Sequence, residues 1–193
     1  MRSSFLTMPL LSMIVIFLFC LENSHKTLDF SIVVSFLYLL PAILLVQEVV
    51  SSIQSDLKDG IIENWLGNGA SSLSYLGCKI ICFSLFLAVP FVILVCGVLL
   101  LDYPIEDVFY VALGLFFLSI TFISFGCLMG LSYKSKAYIG ILLLPLAIPS
   151  FLWLISGIET GEYKFPLMLS FGMTLMSVSL SLILSNSTTK NLF

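Results

Sequence analysis

Few side chains in this sequence could do chemistry, and their spacing excludes most of the chemistries they suggest. The chain has one histidine, His25, so a metal centre built on clustered imidazoles is excluded. His25 reads as a solvated loop residue; the alternative is an external ligand to a haem iron. The five cysteines are Cys20, Cys78, Cys82, Cys96 and Cys127, and no two form a C-x-x-C pair. Cys78 and Cys82 are four apart and share a helix face, where a buried thiol packs as a small apolar group. Gly67-Asn68-Gly69 is glycine-rich but lacks the Gly-Lys-Ser/Thr that completes a phosphate loop. No constellation for catalysis emerges, and any uphill work needs an energy source outside this chain.

The elements that carry these residues are apolar. Of 193 residues, 60% are hydrophobic and 10% charged, against roughly 25% charged in soluble domains, and the mean hydropathy is +1.15. One core of this size cannot hide so much apolar surface, which leaves an integral membrane protein. A net charge of −3 with eight Lys and Arg excludes nucleic acid, whose phosphates call for a basic patch. A spanning helix takes about 20 apolar residues. Stretches between charges predict six helices, over about 3–21, 30–49, 80–101, 108–132, 137–158 and 165–184. They lack the apolar–polar alternation of barrel strands. The first could instead be a secretory signal, but the bulky Phe17-Leu18-Phe19-Cys20 suits cleavage poorly, so a retained helix is expected.

Basic residues favour the cytoplasmic side. Arg2, Lys58, Lys79, Lys134, Lys136 and Lys190 fall on one side, and Lys26 and Lys164 on the other, which predicts both termini inside. The outer loops then carry Asp102, Glu106, Asp107, Glu159 and Glu162. Tyr103, Tyr110 and Tyr163 form an outer aromatic band, and Trp65, Tyr75, Tyr133 and Tyr138 an inner one. No predicted span has a charge near its centre, and Glu48 lies at the inner end of the second. Ion-driven transporters place ionisable groups inside the bundle, so a secondary transporter is disfavoured.

The longest inner segment, about 50–75, has a pattern of its own. Val50, Ile53, Leu57, Ile61 and Trp65 are three or four apart, a helix stripe. Asp59-Gly60 predicts a break, hence two short amphipathic helices bent at Gly60. Such a segment could lie on the lipid, cap the bundle, or dock a soluble partner. Lipid-surface helices are basic on their polar face. This one carries Asp56, Asp59 and Glu63 against Lys58, which favours docking, with the bend as a lever.

Here the sequence resembles a known family. Asp56-Leu57-Lys58-Asp59-Gly60-Ile61-Ile62-Glu63 is similar to the acidic cytoplasmic motif of the CcmB proteins, permease subunits of the haem-exporter ABC system for c-type cytochrome maturation. Leu142-Leu143-Leu144-Pro145-Leu146-Ala147-Ile148-Pro149, following the basic loop Lys134-Ser135-Lys136, is similar to a second run of that family. The resemblance covers about residues 5–185. It implies an ABC-2-type permease-like bundle in a bacterial inner membrane, or less readily the mitochondrial one. It implies a separate ABC ATP-binding subunit (CcmA-like), a haem-handling membrane protein (CcmC-like) and a periplasmic haem chaperone. ATP is then bound by the partner, and haem is the handled ligand, with no cofactor bound in this chain. Asp56, Leu57, Asp59, Gly60 and Glu63 become the docking residues for the ATPase. Where the family tends to a Pro-rich turn after this motif, this chain has Gly67-Asn68-Gly69. A non-transporting scaffold for haem-handling proteins, and an ABC permease for a lipid or drug, are the alternatives.

Pro41, Pro90, Pro145 and Pro149 interrupt apolar helices, and each removes a backbone bond. Pro145 and Pro149, one turn apart, form a hinge or a static kink. Gly126 and Gly130 form a small-x-x-x-small step that lets helices approach closely, either within the chain or at the seam of a homodimer. A homodimer beside two ATPase copies is expected.

Overall fold

The computed structural model describes residues 30–100, 103–131 and 136–190. The expected span over 3–21, with Cys20, His25 and Lys26, lies outside them, as do Asp102, Tyr133 and Lys134-Ser135. The side chains of Pro41, Lys136, Tyr138 and Pro145 also lie outside the described set.

The described chain is all-helical, with no strands among the described residues. The elements are α1 (Phe30–Lys58), α2 (Ile61–Gly67), α3 (Ser72–Phe83), a π-helical turn (Ser84–Ala88), α4 (Val89–Leu99), α5 (Ile105–Leu131), α6 (Lys136–Thr160) and α7 (Lys164–Lys190). α3, the π turn and α4 run on as one helix, Ser72–Leu99. That helix, Ile105–Leu131 and Lys164–Ser185 are three helices long and apolar enough to cross a membrane. At ~1.5 Å per residue each exceeds the roughly 30 Å hydrocarbon layer, so this is a membrane protein. The expected spans over 30–49 and 137–158 fall within α1 and α6.

α5 is the central helix. It packs against α1, α4, α6 and α7, and its most apolar stretch is 67% buried, against 28% for Ser72–Leu99 and 22% for Lys164–Ser185. Lipid is as apolar as a leucine side chain, so helices in a bilayer associate through close packing and interhelical hydrogen bonds. α5 supplies both. Gly114, Gly126 and Gly130 leave room for side chains of α1 and α6. Thr121 Oγ1 lies 3.1 Å from Thr174 Oγ1 of α7, and Thr174 also donates to the Phe117 carbonyl at 3.1 Å.

The Gly126/Gly130 step faces α1 of the same chain. A Cβ on Gly126 would sit 3.1 Å from Val49 Cβ, and one on Gly130 2.7 Å from Ile53 Cβ. Within this chain, therefore, the step is filled.

Two apolar clusters divide the bundle along its length. One, toward the α6–α7 turn, includes Tyr38, Val95, Leu99, Tyr110 and Leu154. The other, toward Gly60, includes Val49, Ile53, Ile62, Leu76, Leu87 and Cys127. The helix Ser72–Leu99 contributes to both, and its π turn is the last part of it in the Gly60-end cluster, through Leu87 and Ala88. Pro90 has no N–H for the Phe86 carbonyl and its ring crowds that carbonyl. The helix widens just before it, and the Val89 N–H reaches back to the Ser84 carbonyl, the bond pattern of a π-bulge.

Two expected boundaries differ. α1 continues to Lys58, so the segment before Gly60 is the end of a long helix and not a separate short one. The third expected span begins at Ser72 rather than at 80. Lys79 looked like the edge of an apolar run, but a paired charge does not end a helix. The start is set instead by Ser71, whose Oγ accepts from the Ser74 N–H at 3.1 Å, the N-cap arrangement.

Candidate functional site

The candidate site is the bend between α1 and α3. At Gly60 the backbone takes φ +69°, the left-handed region that glycine enters without a steric penalty. The Asn64 N–H bonds the Gly60 carbonyl at 3.0 Å, and α2 begins. α2 ends on a second glycine, Gly69, at φ +80°. The Ala70 N–H reaches the Trp65 carbonyl at 3.3 Å, and the Gly69 N–H the Leu66 carbonyl at 3.0 Å. This paired closure is a Schellman motif, and it explains why Gly67-Asn68-Gly69 serves as the turn.

The left-handed residue rotates α2 about its axis relative to α1. The expected stripe therefore does not run straight through. Ile53 is buried and Leu57 half-buried, but across Gly60 the inward positions are Ile62 and Leu66. Ile61 is 43% exposed and Trp65 37% exposed. Asp59 and Glu63 are also exposed. The outward side of the bend thus combines two carboxylates, Asp59 just before Gly60 and Glu63 on α2, with two large apolar side chains.

Asp56 belongs to the other face. Lys79 Nζ lies 2.7 Å from Asp56 Oδ2, with side-chain exposures of 23% and 14%. Tyr75 Oη donates to the same carboxylate oxygen at 2.5 Å. Lys79 also donates to Ser52 Oγ at 3.3 Å and sits 5.9 Å from the Tyr75 ring centroid and 5.6 Å from that of Phe83, within cation–π range. Trp65 meets Tyr75 edge-on at 6.1 Å and donates Nε1–H to Ser74 Oγ at 3.2 Å. Asp59 accepts from Ser55 Oγ at 3.2 Å.

The expected docking set therefore divides. Asp59 and Glu63 are presented outward, Gly60 makes the bend, Leu57 packs inward, and Asp56 is engaged within the chain. Reading the sequence missed Lys79, Tyr75 and Ser74. The signal was there: a lone cation seven residues into an apolar helix needs a partner, and Asp56 is the carboxylate that α1 brings beside it. Pro149, half-buried in α6, lies away from this site.

No protein-family profile, curated protein or solved structure matches the chain. The geometry of the bend is therefore what any functional reading must use.

The opposite end of the bundle carries a second polar contact. Tyr163, in the turn after α6, donates to Asp107 Oδ1 at the start of α5. Its ring stacks on Tyr110 with centroids 4.5 Å apart and planes at 28°. The hydrogen bond to Asp107, with burial and the neighbouring carboxylates adding to it, pushes the Tyr163 phenol up to about 12. Tyr110 Oη donates to the Leu154 carbonyl at 2.8 Å. The acidic loops around Asp107 and Glu162 and the tyrosines expected as one band share this end. Among the described residues no cluster of His, Cys, Asp and Glu suited to a metal occurs.

Proposed function

We propose that this chain is the permease subunit of an ABC transporter complex for haem export or haem-chaperone release in c-type cytochrome biogenesis. In this reading it spans a bacterial inner membrane six times in an ABC-2-like bundle, with both termini cytoplasmic, and works as a homodimer. ATP is hydrolysed by a separate ATP-binding subunit, and a haem-handling membrane protein and a periplasmic haem chaperone complete the complex.

The observation that supports the reading best is the outward side of the bend around Gly60. Asp59 and Glu63 beside the exposed Ile61 and Trp65 suit a soluble partner with an apolar groove and a basic rim. They suit an anionic lipid surface poorly, because carboxylates are repelled by it. The CcmB-like motif covers Asp59, Ile61 and Glu63 among them.

The test is charge reversal, Asp59→Lys with Glu63→Lys. The expected outcome is a protein that remains in the membrane while ATP hydrolysis is uncoupled from c-type cytochrome maturation. Normal maturation by this variant refutes the docking role. Purification of the parent complex with an ATP-binding subunit and a haem absorption band supports the haem assignment. An ATP-binding subunit with no link to haem points to another substrate.

A further inference from the structure

We propose that the Asp56–Lys79–Tyr75 cluster is a latch that makes the Gly60-end half of the Ser72–Leu99 helix move with the bent segment, the π turn at Ser84–Ala88 serving as the hinge. The inference rests on the reading that an ATP-driven partner displaces that segment, and it names the residues that carry the displacement inward.

Three observations combine. The first is that the cluster joins three elements. Asp56 is on α1 just before the bend, Lys79 and Tyr75 are on α3, and Tyr75 and Ser74 hold Trp65 of α2. A push on α2 is therefore passed to α3 through Trp65, and α3 is tied to α1 by the Asp56–Lys79 and Asp56–Tyr75 bonds. Charge-assisted bonds are stiffer and more directional than apolar contact, and here they add to the packing of Ile53, Ile62 and Leu76, at whose margin Leu57 and Leu66 are only partly buried.

The second observation is that the two halves of the helix belong to different cores. Tyr75, Leu76 and Ile80 pack in the Gly60-end cluster, whereas Val95 and Leu99 pack in the other. The third is where the helix is weakest. The α-helical bonding is interrupted by the π turn, whose Leu87 and Ala88 are the last residues of this helix in the Gly60-end cluster, and by Pro90, just before Phe91 and Val92 join the other cluster. Helices bend at such interruptions. In this proposal the α3 half, which also packs on α5 and α7, shifts against them with the segment, while the α4 half keeps its place on α5. Asp56 and Lys79 are positioning residues: they contact no transported molecule and act through the helix they hold.

The test has two arms. In the first, the full chain in phosphatidylethanolamine/phosphatidylglycerol nanodiscs is followed by hydrogen exchange. Lys79→Met is expected to speed exchange of Ile61–Gly67 by about tenfold while Ile105–Leu131 is unchanged. Lys79→Arg, and the reversed pair Asp56→Lys with Lys79→Asp, are expected to return the rate toward the parent value. Parent-like exchange in Lys79→Met overturns the latch, and so does failure of both restoring variants.

In the second arm, the complex with the ATP-binding subunit is assayed for ATP hydrolysed per haem c matured. Lys79→Met is expected to raise that ratio by about fivefold or more with the subunit still co-purifying. An unchanged ratio overturns transmission through the latch. Asp59→Lys with Glu63→Lys tests the underlying reading separately. If that variant keeps both the subunit and the ratio, docking at α2 is wrong, whereas the nanodisc arm judges the latch without any partner.

Discussion

Lys79 Nζ and Asp56 Oδ2 are 2.7 Å apart, although 23 positions separate the residues in the chain. The pair fastens the last turn of α1 to the second turn of α3 and turns a flexible-looking segment into a braced elbow. Its energetic value is asymmetric. Partly buried pairs add little relative to apolar replacements, but removing one partner strands the other.

Asp56→Asn keeps an acceptor for Tyr75 and loses the charge that Lys79 needs. We expect a loss of about 1–3 kcal/mol, measured by denaturant unfolding in detergent micelles. Asp59→Asn, on the exposed face, is expected to stay within about 0.5 kcal/mol.

Gly130→Ala is expected to destabilise by about 1–3 kcal/mol, because its Cβ would overlap Ile53 Cβ and overpacking costs that much. Gly126→Ala meets Val49 at a looser 3.1 Å and is expected to cost less. Gly97→Ala, with open space around it, gains helix propensity without a clash. Pairing Gly130→Ala with Ile53→Ala recovers part of the loss if the contact is the cause, and a double-mutant unfolding cycle measures it.

Gly60→Ala places a Cβ at φ +69°, and the left-handed region costs an L-residue roughly 1–2 kcal/mol. Gly67, with no positive φ and no neighbour within 4 Å, is the control: Gly67→Ala is expected to be neutral or better. Amide exchange across Ile61–Gly67 reads the difference.

Tyr163 carries a pH signature. Its phenol is raised from the ordinary value of 10.0 to about 12, so the neutral, donating form is favoured by folding. The stability this adds is fully present below pH 10.0 and is lost as pH rises through about 12. Phenolate absorbance is expected to lose its step near pH 12 in the Tyr163→Phe protein. Stability of the Tyr163→Phe protein is expected to fall less than that of the parent across that window.

Tyr38 is wholly buried, and its hydroxyl has no hydrogen-bond partner among the described residues. It stands over Gly114, where a Cβ would come within 2.6 Å of Oη. Tyr38→Phe is expected to be neutral or stabilising by up to about 1 kcal/mol, because a buried hydroxyl without a partner is a cost. Thermal unfolding of the purified chain decides it.

Composition alone determined that this chain belongs in a membrane and is helical, since 60% apolar residues in long uncharged stretches have no other stable placement. Local rules also placed the break at Gly60, and the loop charges already grouped Tyr110 with Tyr163. Tertiary structure decided what spacing cannot carry. The left-handed turn at Gly60 changed which side of α2 faces inward, taking Trp65 and Ile61 out of the buried stripe and putting Ile62 and Leu66 into it. The close approach of α1 to Gly126 and Gly130 gave that step its partner within the chain. Asp56 was removed from the outward acidic set by a cation 23 residues away. A one-dimensional pattern records the type of each side chain, whereas a charge's partner and a helix's inward face depend on which elements the chain brings side by side.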